Sequence, residues 1–143
     1  MPTVHDLEGV ARIFYEPVSR VMLTTWVNLM HAHIKPLIER QMEQVARGAR
    51  FLVVDVRLTR SVPSPEDQAW YASTAVPFYK ANGLRALVNL VPQSAVAKLG
   101  ASRWRATAAQ GGIDTWEAGD LESALRLLHE RYGVDVTPAQ LEP

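Results

Sequence analysis

The run from Asp55 to Ser64 gathers a carboxylate, two guanidinium groups and several hydroxyls, and each suggests a different chemistry. Ser64 stands in Pro63-Ser64-Pro65-Glu66-Asp67. A phosphoryl group on its oxygen would meet free N–H groups at a helix start, which favours it, and the carboxylates of Glu66 and Asp67, which oppose it. A serine followed by proline and two acidic residues is also a helix N-cap in its own right, so capping is the expected role and Ser64 is kept as the phosphoacceptor candidate. Asp55 ends an apolar run, which places it at the carboxyl end of a buried strand, where open α/β sheets bind their ligands. Arg57, Thr59 and Arg60 follow in an irregular loop and could hold a small anion or a nucleotide there. The simpler reading is that Asp55 caps loop N–H groups while the arginines are solvated. Trp70 and Tyr71 are adjacent, so one faces the core and the other is left near the surface as an anchor for a partner.

Other constellations point away from chemistry. His31-Ala32-His33 would suit a metal on a strand, but it falls at a helix start, where residues two apart diverge by about 200°. His5 and His129 have no spacing relation to that pair, and no metal site is expected. The absence of cysteine removes disulfides, thiolate catalysis and cysteine-bound zinc or iron–sulfur centres. Arg103-Trp104-Arg105, near Lys98, could stack on a nucleic acid, yet in a chain of formal net charge +0 a packed Trp between solvated arginines is the better reading. There is no Gly-rich phosphate loop and no Gly-x-Ser-x-Gly, so no catalytic residue and no cofactor are assigned.

The elements that must position these residues read as five strands and four helices. Ala11–Tyr15 and Val21–Val27 are short β-branched and aromatic runs joined by a turn over Glu16–Arg20, an opening antiparallel hairpin. Ile34, Leu37, Ile38, Met42 and Val45 recur at steps of 3 or 4, with Glu39, Arg40, Gln44 and Arg47 opposite, and Gly48 closes this helix. Pro36 is most comfortable in a first turn, which starts the regular helix near Lys35. Phe51–Val56 is the apolar pattern of a strand buried on both faces. The second helix runs from Ser64 to Asn82-Gly83, with Pro77 expected to kink or break it. Leu84–Val91 is the next strand, and a third helix runs from Ser94 to Gly111-Gly112. Ile113–Ala118 is the last strand, and Asp120 caps a fourth helix that ends at Gly133. The order β-β-α-β-α-β-α-β-α demands an α/β fold with a single mixed, mostly parallel five-stranded sheet. Residues 1–133 form that domain, and 134–143 are expected as a loose tail.

Composition agrees with this. A length of 143 residues, 48% hydrophobic and 21% charged, is that of one ordinary globular domain. A pI near 6.9 exerts no global pull toward nucleic acid or membrane. The first residues lack a basic start before an apolar run, so no secretory leader is expected, and the apolar runs are too short to span a bilayer. A chain without cysteine fits a reducing, cytoplasmic compartment. Twelve Arg against three Lys is the balance of a GC-rich, bacterial genome.

Three segments carry a likeness to a known family. Phe51-Leu52-Val53-Val54-Asp55-Val56 looks like a central strand ending in an Asp. Gly83-Leu84-Arg85-Ala86-Leu87-Val88-Asn89-Leu90-Val91 looks like the next strand, entered from a Gly. Ile113–Ala118 followed by Leu121–Leu128 looks like a closing strand and helix. In this order and at this length they resemble the STAS domains of anti-sigma-factor antagonists, over roughly Val10 to Tyr132. In that family a partner kinase phosphorylates a serine at the helix start after the central strand, in the pattern Asp-Ser-Ser/Thr-Gly-Leu. Ser64 is the matching position, but the glycine is missing and Glu66 and Asp67 are added, which brings this chain closer to divergent STAS-like bacterial domains that lack the serine motif. The resemblance implies a non-enzymatic regulatory module. Its partner would be a regulatory kinase, a sigma-factor regulator or another signalling protein, met through the loop after the central strand and the start of the second helix. A homodimer is compatible with it. The alternatives are a domain that binds a nucleotide or lipid and, behind that, a metal-independent enzyme using Asp55 or a His.

Overall fold

The computed structural model describes residues 3–7, 9–27, 31–58, 64–90, 102 and 105–141. Among them six strands form one sheet in chain order: β1 (Thr3–Leu7), β2 (Ala11–Glu16), β3 (Val21–Trp26), β4 (Phe51–Asp55), β5 (Ala86–Leu90) and β6 (Asp114–Ala118). β1–β2 and β2–β3 pair antiparallel, and β3 to β6 run parallel. This is the mixed α/β sheet that the sequence indicates, with one strand more. β1 joins the outer edge of β2 through a turn at Gly9, whose φ of 75° suits a residue without a β-carbon. Thr3-Val4-His5-Asp6-Leu7 has no period-two apolar signal, and an edge strand held by backbone pairing needs none.

Period-two alternation divides the sheet's side chains between two cores. Ile13, Met22, Leu52 and Leu87 face one side, where they meet α1 (His31–Ala46), a broken second helix, and Ala108 from helical residues 105–110, termed α4. Phe14, Leu23, Phe51, Val53 and Val88 face the other side and meet α5 (Leu121–Tyr132). The segment expected as a loose tail is packed instead: Val134 and Leu141 are buried in this second core, with Leu141 in a 3₁₀ turn over Pro138–Leu141. Four apolar residues scattered among prolines and polar groups carry no periodicity to reveal that. α5 begins and ends as read, with Asp120 Oδ1 accepting from Ser123 N–H at 2.8 Å and Gly133 left-handed at φ 71°.

Pro36 departs from expectation, and Pro77 follows it in an unexpected form. α1 begins at His31 rather than near Lys35, with Pro36 inside it. As the sixth residue of α1, Pro36 lies past the four N–H groups that lack partners, so it costs the helix one internal hydrogen bond. Gln44, expected on the polar side of α1, is buried. The second helix is interrupted just ahead of Pro77, as expected. That helix is α2 (Pro65–Trp70), a π turn (Tyr71–Ala75) in which Val76 N–H reaches back to the Tyr71 carbonyl, and α3 (Val76–Ala81). The wider turn lets the chain restart with Pro77 in the first turn of α3, where its missing donor is harmless. Gly83, at φ 89°, follows the helix end as expected. The third helix's start at Ser94 lies outside the described residues. Among the described residues no helix is long and apolar enough to cross a membrane.

Candidate functional site at the carboxyl edge

β3, β4 and β5 all point their carboxyl ends at one edge, where Asp55 and, just after it, Arg57 stand among the residues singled out from sequence. Asp55 ends β4. Its Oδ1 accepts from the Arg57 backbone N–H at 3.1 Å and from Arg57 Nε at 3.0 Å, while Oδ2 accepts from Nη2 at 2.9 Å. Capping and charge pairing are thus combined in one two-pronged contact. These hydrogen bonds hold the Arg57 guanidinium above its ordinary pKa. The positive charge of Arg57 is therefore matched from within. Thr59 and Arg60 lie outside the described residues. Leu58, immediately after the pair, is 66% exposed, and Val27, just past the end of β3, is 47% exposed.

Ser64 is the N-cap of α2. Its Oγ accepts from Asp67 N–H at 3.1 Å, and its backbone is extended with Pro65 next. Ser64→Ala is expected to lower stability by about 1 kcal/mol in urea denaturation, with partner binding retained. An unchanged denaturation midpoint together with lost binding would instead favour the phosphoacceptor role.

Of the two adjacent aromatics, Tyr71 is the inward one. It is buried and meets Tyr79 edge-on, with ring centroids 6.3 Å apart. Burial pushes its hydroxyl far above the ordinary tyrosine range, so it stays protonated and is unsuited to acid–base work near neutrality. Trp70 is half-buried, with Lys35 Nζ 5.8 Å from its ring centroid, and is the more exposed of the pair. His33 is half-buried on α1, and among the described residues no three of His, Asp and Glu cluster as metal ligands. Arg105 pairs with Glu117 at 2.9 Å, while Lys98, Arg103 and Trp104 lie outside the described residues.

Behind this edge, between the sheet and α1, lies a cavity of about 50 Å³. Trp26, Ile38, Leu52, Val56 and Tyr71 supply apolar wall, and Gln41 and Asn89 supply amides. Register places Thr24, Val54 and Asn89 in one row across β3, β4 and β5. Gln41 reaches down from α1, donating from Nε2 to Thr24 Oγ1 at 2.7 Å and accepting from the Tyr79 hydroxyl at 2.7 Å. Sequence reading missed Leu58, Gln41 and Asn89. Two of them left a signal: Gln41 falls on the apolar stripe of α1, and Asn89 interrupts an otherwise apolar strand. Leu58 left none, because exposure of a loop residue has no pattern. Comparison with family models, with curated proteins and with solved structures finds no match to this chain.

Proposed function

We propose that this chain is a STAS-type interaction module that binds a signalling protein through the carboxyl edge of β3 and β4 and the start of α2. Leu58 carries the reading. Leaving a leucine in water forgoes about 1.5–3 kcal/mol of burial, and a partner that covers it recovers that energy. Isolated exposed apolar residues need no explanation, but Val27 and Leu58 both stand just past the carboxyl ends of the paired strands β3 and β4. The Asp55–Arg57 contact holds the backbone just before Leu58, so less loop ordering remains to oppose binding. The absence of a recognised catalytic motif in the sequence supports a binding role, and a bacterial, cytoplasmic setting belongs with this reading.

A photo-reactive p-benzoylphenylalanine placed at Leu58 in the native host tests it. The expected result is a cross-link to one defined protein, absent when the probe stands at Glu130 on exposed α5, and lost from a Trp70 probe when Leu58→Asp is added. A cross-link to a second copy of this chain would identify a homodimer at the same edge. Equal labelling from positions 58 and 130, or none from either, would refute the reading.

A further inference from the structure

We infer that the amino edge of β3, β4 and β5 binds a small, extended polyanion: a short oligophosphate, free or as the tail of a nucleotide. This edge is opposite to the partner surface, and the inference does not rest on that surface. Arg20, Arg50 and Arg85 each stand immediately before a strand, β3 at Val21, β4 at Phe51 and β5 at Ala86. Those first residues are partners in register, Val21 with Phe51 and Phe51 with Ala86. The ladder continues one residue back, where Arg50 N–H donates to the Arg20 carbonyl at 2.9 Å and Arg85 N–H to the Arg50 carbonyl at 2.7 Å. Neighbouring strands lie about 4.8 Å apart, so the three α-carbons form a row about 10 Å long. One arginine from each of three adjacent strands is a costly arrangement, because like charges close together repel. A ligand of opposite charge relieves that repulsion.

Neutral groups hold these side chains. Arg50, half-buried, donates from Nη1 to the Ala49 and Asn82 carbonyls, both at 3.1 Å. The Arg85 guanidinium carbon lies 5.2 Å from the Tyr132 ring centroid and 5.9 Å from that of Phe51. Carbonyls and ring faces fix a guanidinium without cancelling its charge. Burial raises the Tyr15 hydroxyl above its ordinary pKa against the pull of Arg20 and Arg50, so both charges act at one point of the edge. Among the described residues no carboxylate lies within ion-pair distance of Arg20, Arg50 or Arg85. Arg20 is also the one non-glycine residue with a positive φ among the described residues, 62°, a conformation that favours glycine or asparagine. An arginine there is explained by its charge, not by its backbone preference.

The flanks of the row set the length of the ligand. Glu16, opposite Val21 on β2, and Asp114, opposite Ala86 on β6, stand at its two ends. Glu16 is engaged by Val18 and Ser19, and Asp114 by the Tyr132 hydroxyl. Their charges confine the positive stretch to three strands. A nucleic-acid surface neutralises a longer run of phosphates, which these carboxylates would repel. About 10 Å of edge instead calls for high charge density, which a phosphate chain supplies with oxygens that guanidinium forks match two at a time.

Titration of the intact ¹⁵N-labelled protein with tripolyphosphate at low ionic strength tests the assignment. Saturable shifts are expected at the side-chain Nε–H signals of Arg20, Arg50 and Arg85. Arg20→Asn suits the left-handed backbone, so it should keep or raise the urea midpoint while weakening tripolyphosphate about tenfold. Arg85→Gln, at the other end of the row, should weaken it by a similar factor. Arg126→Gln removes an exposed charge on α5 and should leave the affinity unchanged. A nucleoside triphosphate bound more tightly than tripolyphosphate would identify a nucleotide as the source, and equal affinity a free oligophosphate. No saturable shift, equal weakening by Arg20→Asn and Arg126→Gln, or tighter binding of a single-stranded oligonucleotide would overturn the assignment.

Discussion

Gln41→Leu is expected to destabilise the fold by about 3 kcal/mol, far more than its near-equal volume suggests. Thr24, Gln41 and Tyr79 are all buried, and the glutamine is the bridge of the three. Replacing it leaves two hydroxyls with the full cost of their lost water and no partner in return. The Tyr79 hydroxyl is the worse placed, because its ring fixes its direction. Burial, with Tyr71 close by, also pushes it far above the ordinary tyrosine range, so ionisation offers no escape. The asymmetry has a second consequence. The triple variant Thr24→Val, Gln41→Leu, Tyr79→Phe removes all three polar groups together and should return to within about 1 kcal/mol of the wild type. Urea denaturation of the single and triple variants checks both statements. A neutral Gln41→Leu, or a triple variant at least as unstable as the single one, would show that the bridge does not hold these hydroxyls in solution.

Gly111→Ala should cost about 2 kcal/mol although it would ordinarily favour a helix end. A β-carbon at position 111 would overlap Cγ1 of Val76, where α4 closes on α3. Val76 is buried and β-branched, so it has one comfortable rotamer in a helix and cannot swing aside. The backbone must move instead. In a Val76→Ala background the same Gly111→Ala change should be nearly free, giving a coupling of about 2 kcal/mol in a double-mutant cycle. Equal costs in both backgrounds would place the close approach elsewhere.

Legibility in the sequence followed the strength of local signals. Phe51–Asp55 and Ala86–Leu90 are apolar at nearly every position, and Asp120 and Gly133 mark both ends of α5, so these elements and the mixed sheet could be read directly. Ser64 was readable as a cap because its neighbours Pro65, Glu66 and Asp67 each fit a helix start. What escaped depends on distant contacts. β1 is held by backbone pairing that leaves no side-chain pattern, and Leu141 is buried in a turn that packs on β2, far from it in sequence, and on α5, whose face forms only on folding. Pro77 was legible as a disturbance, but its resolution as a π turn depends on packing against α1 and the sheet. At the site, residue types pointed to Asp55 and Arg57, whereas their locking to each other depends on the turn after β4.

The division of the sheet into two cores orders events during synthesis. The first face, under α1, the π turn and α3, draws its cover from segments interleaved with the strands it protects. The second face receives Ala124, Leu125, Leu128, Val134 and Leu141, all made after the last strand. A nascent chain therefore carries Phe14, Leu23, Phe51, Val53 and Val88 as a bare apolar wall until residues 121–141 leave the ribosome. That interval is when a chaperone would be needed and when association between unfinished chains is most favoured.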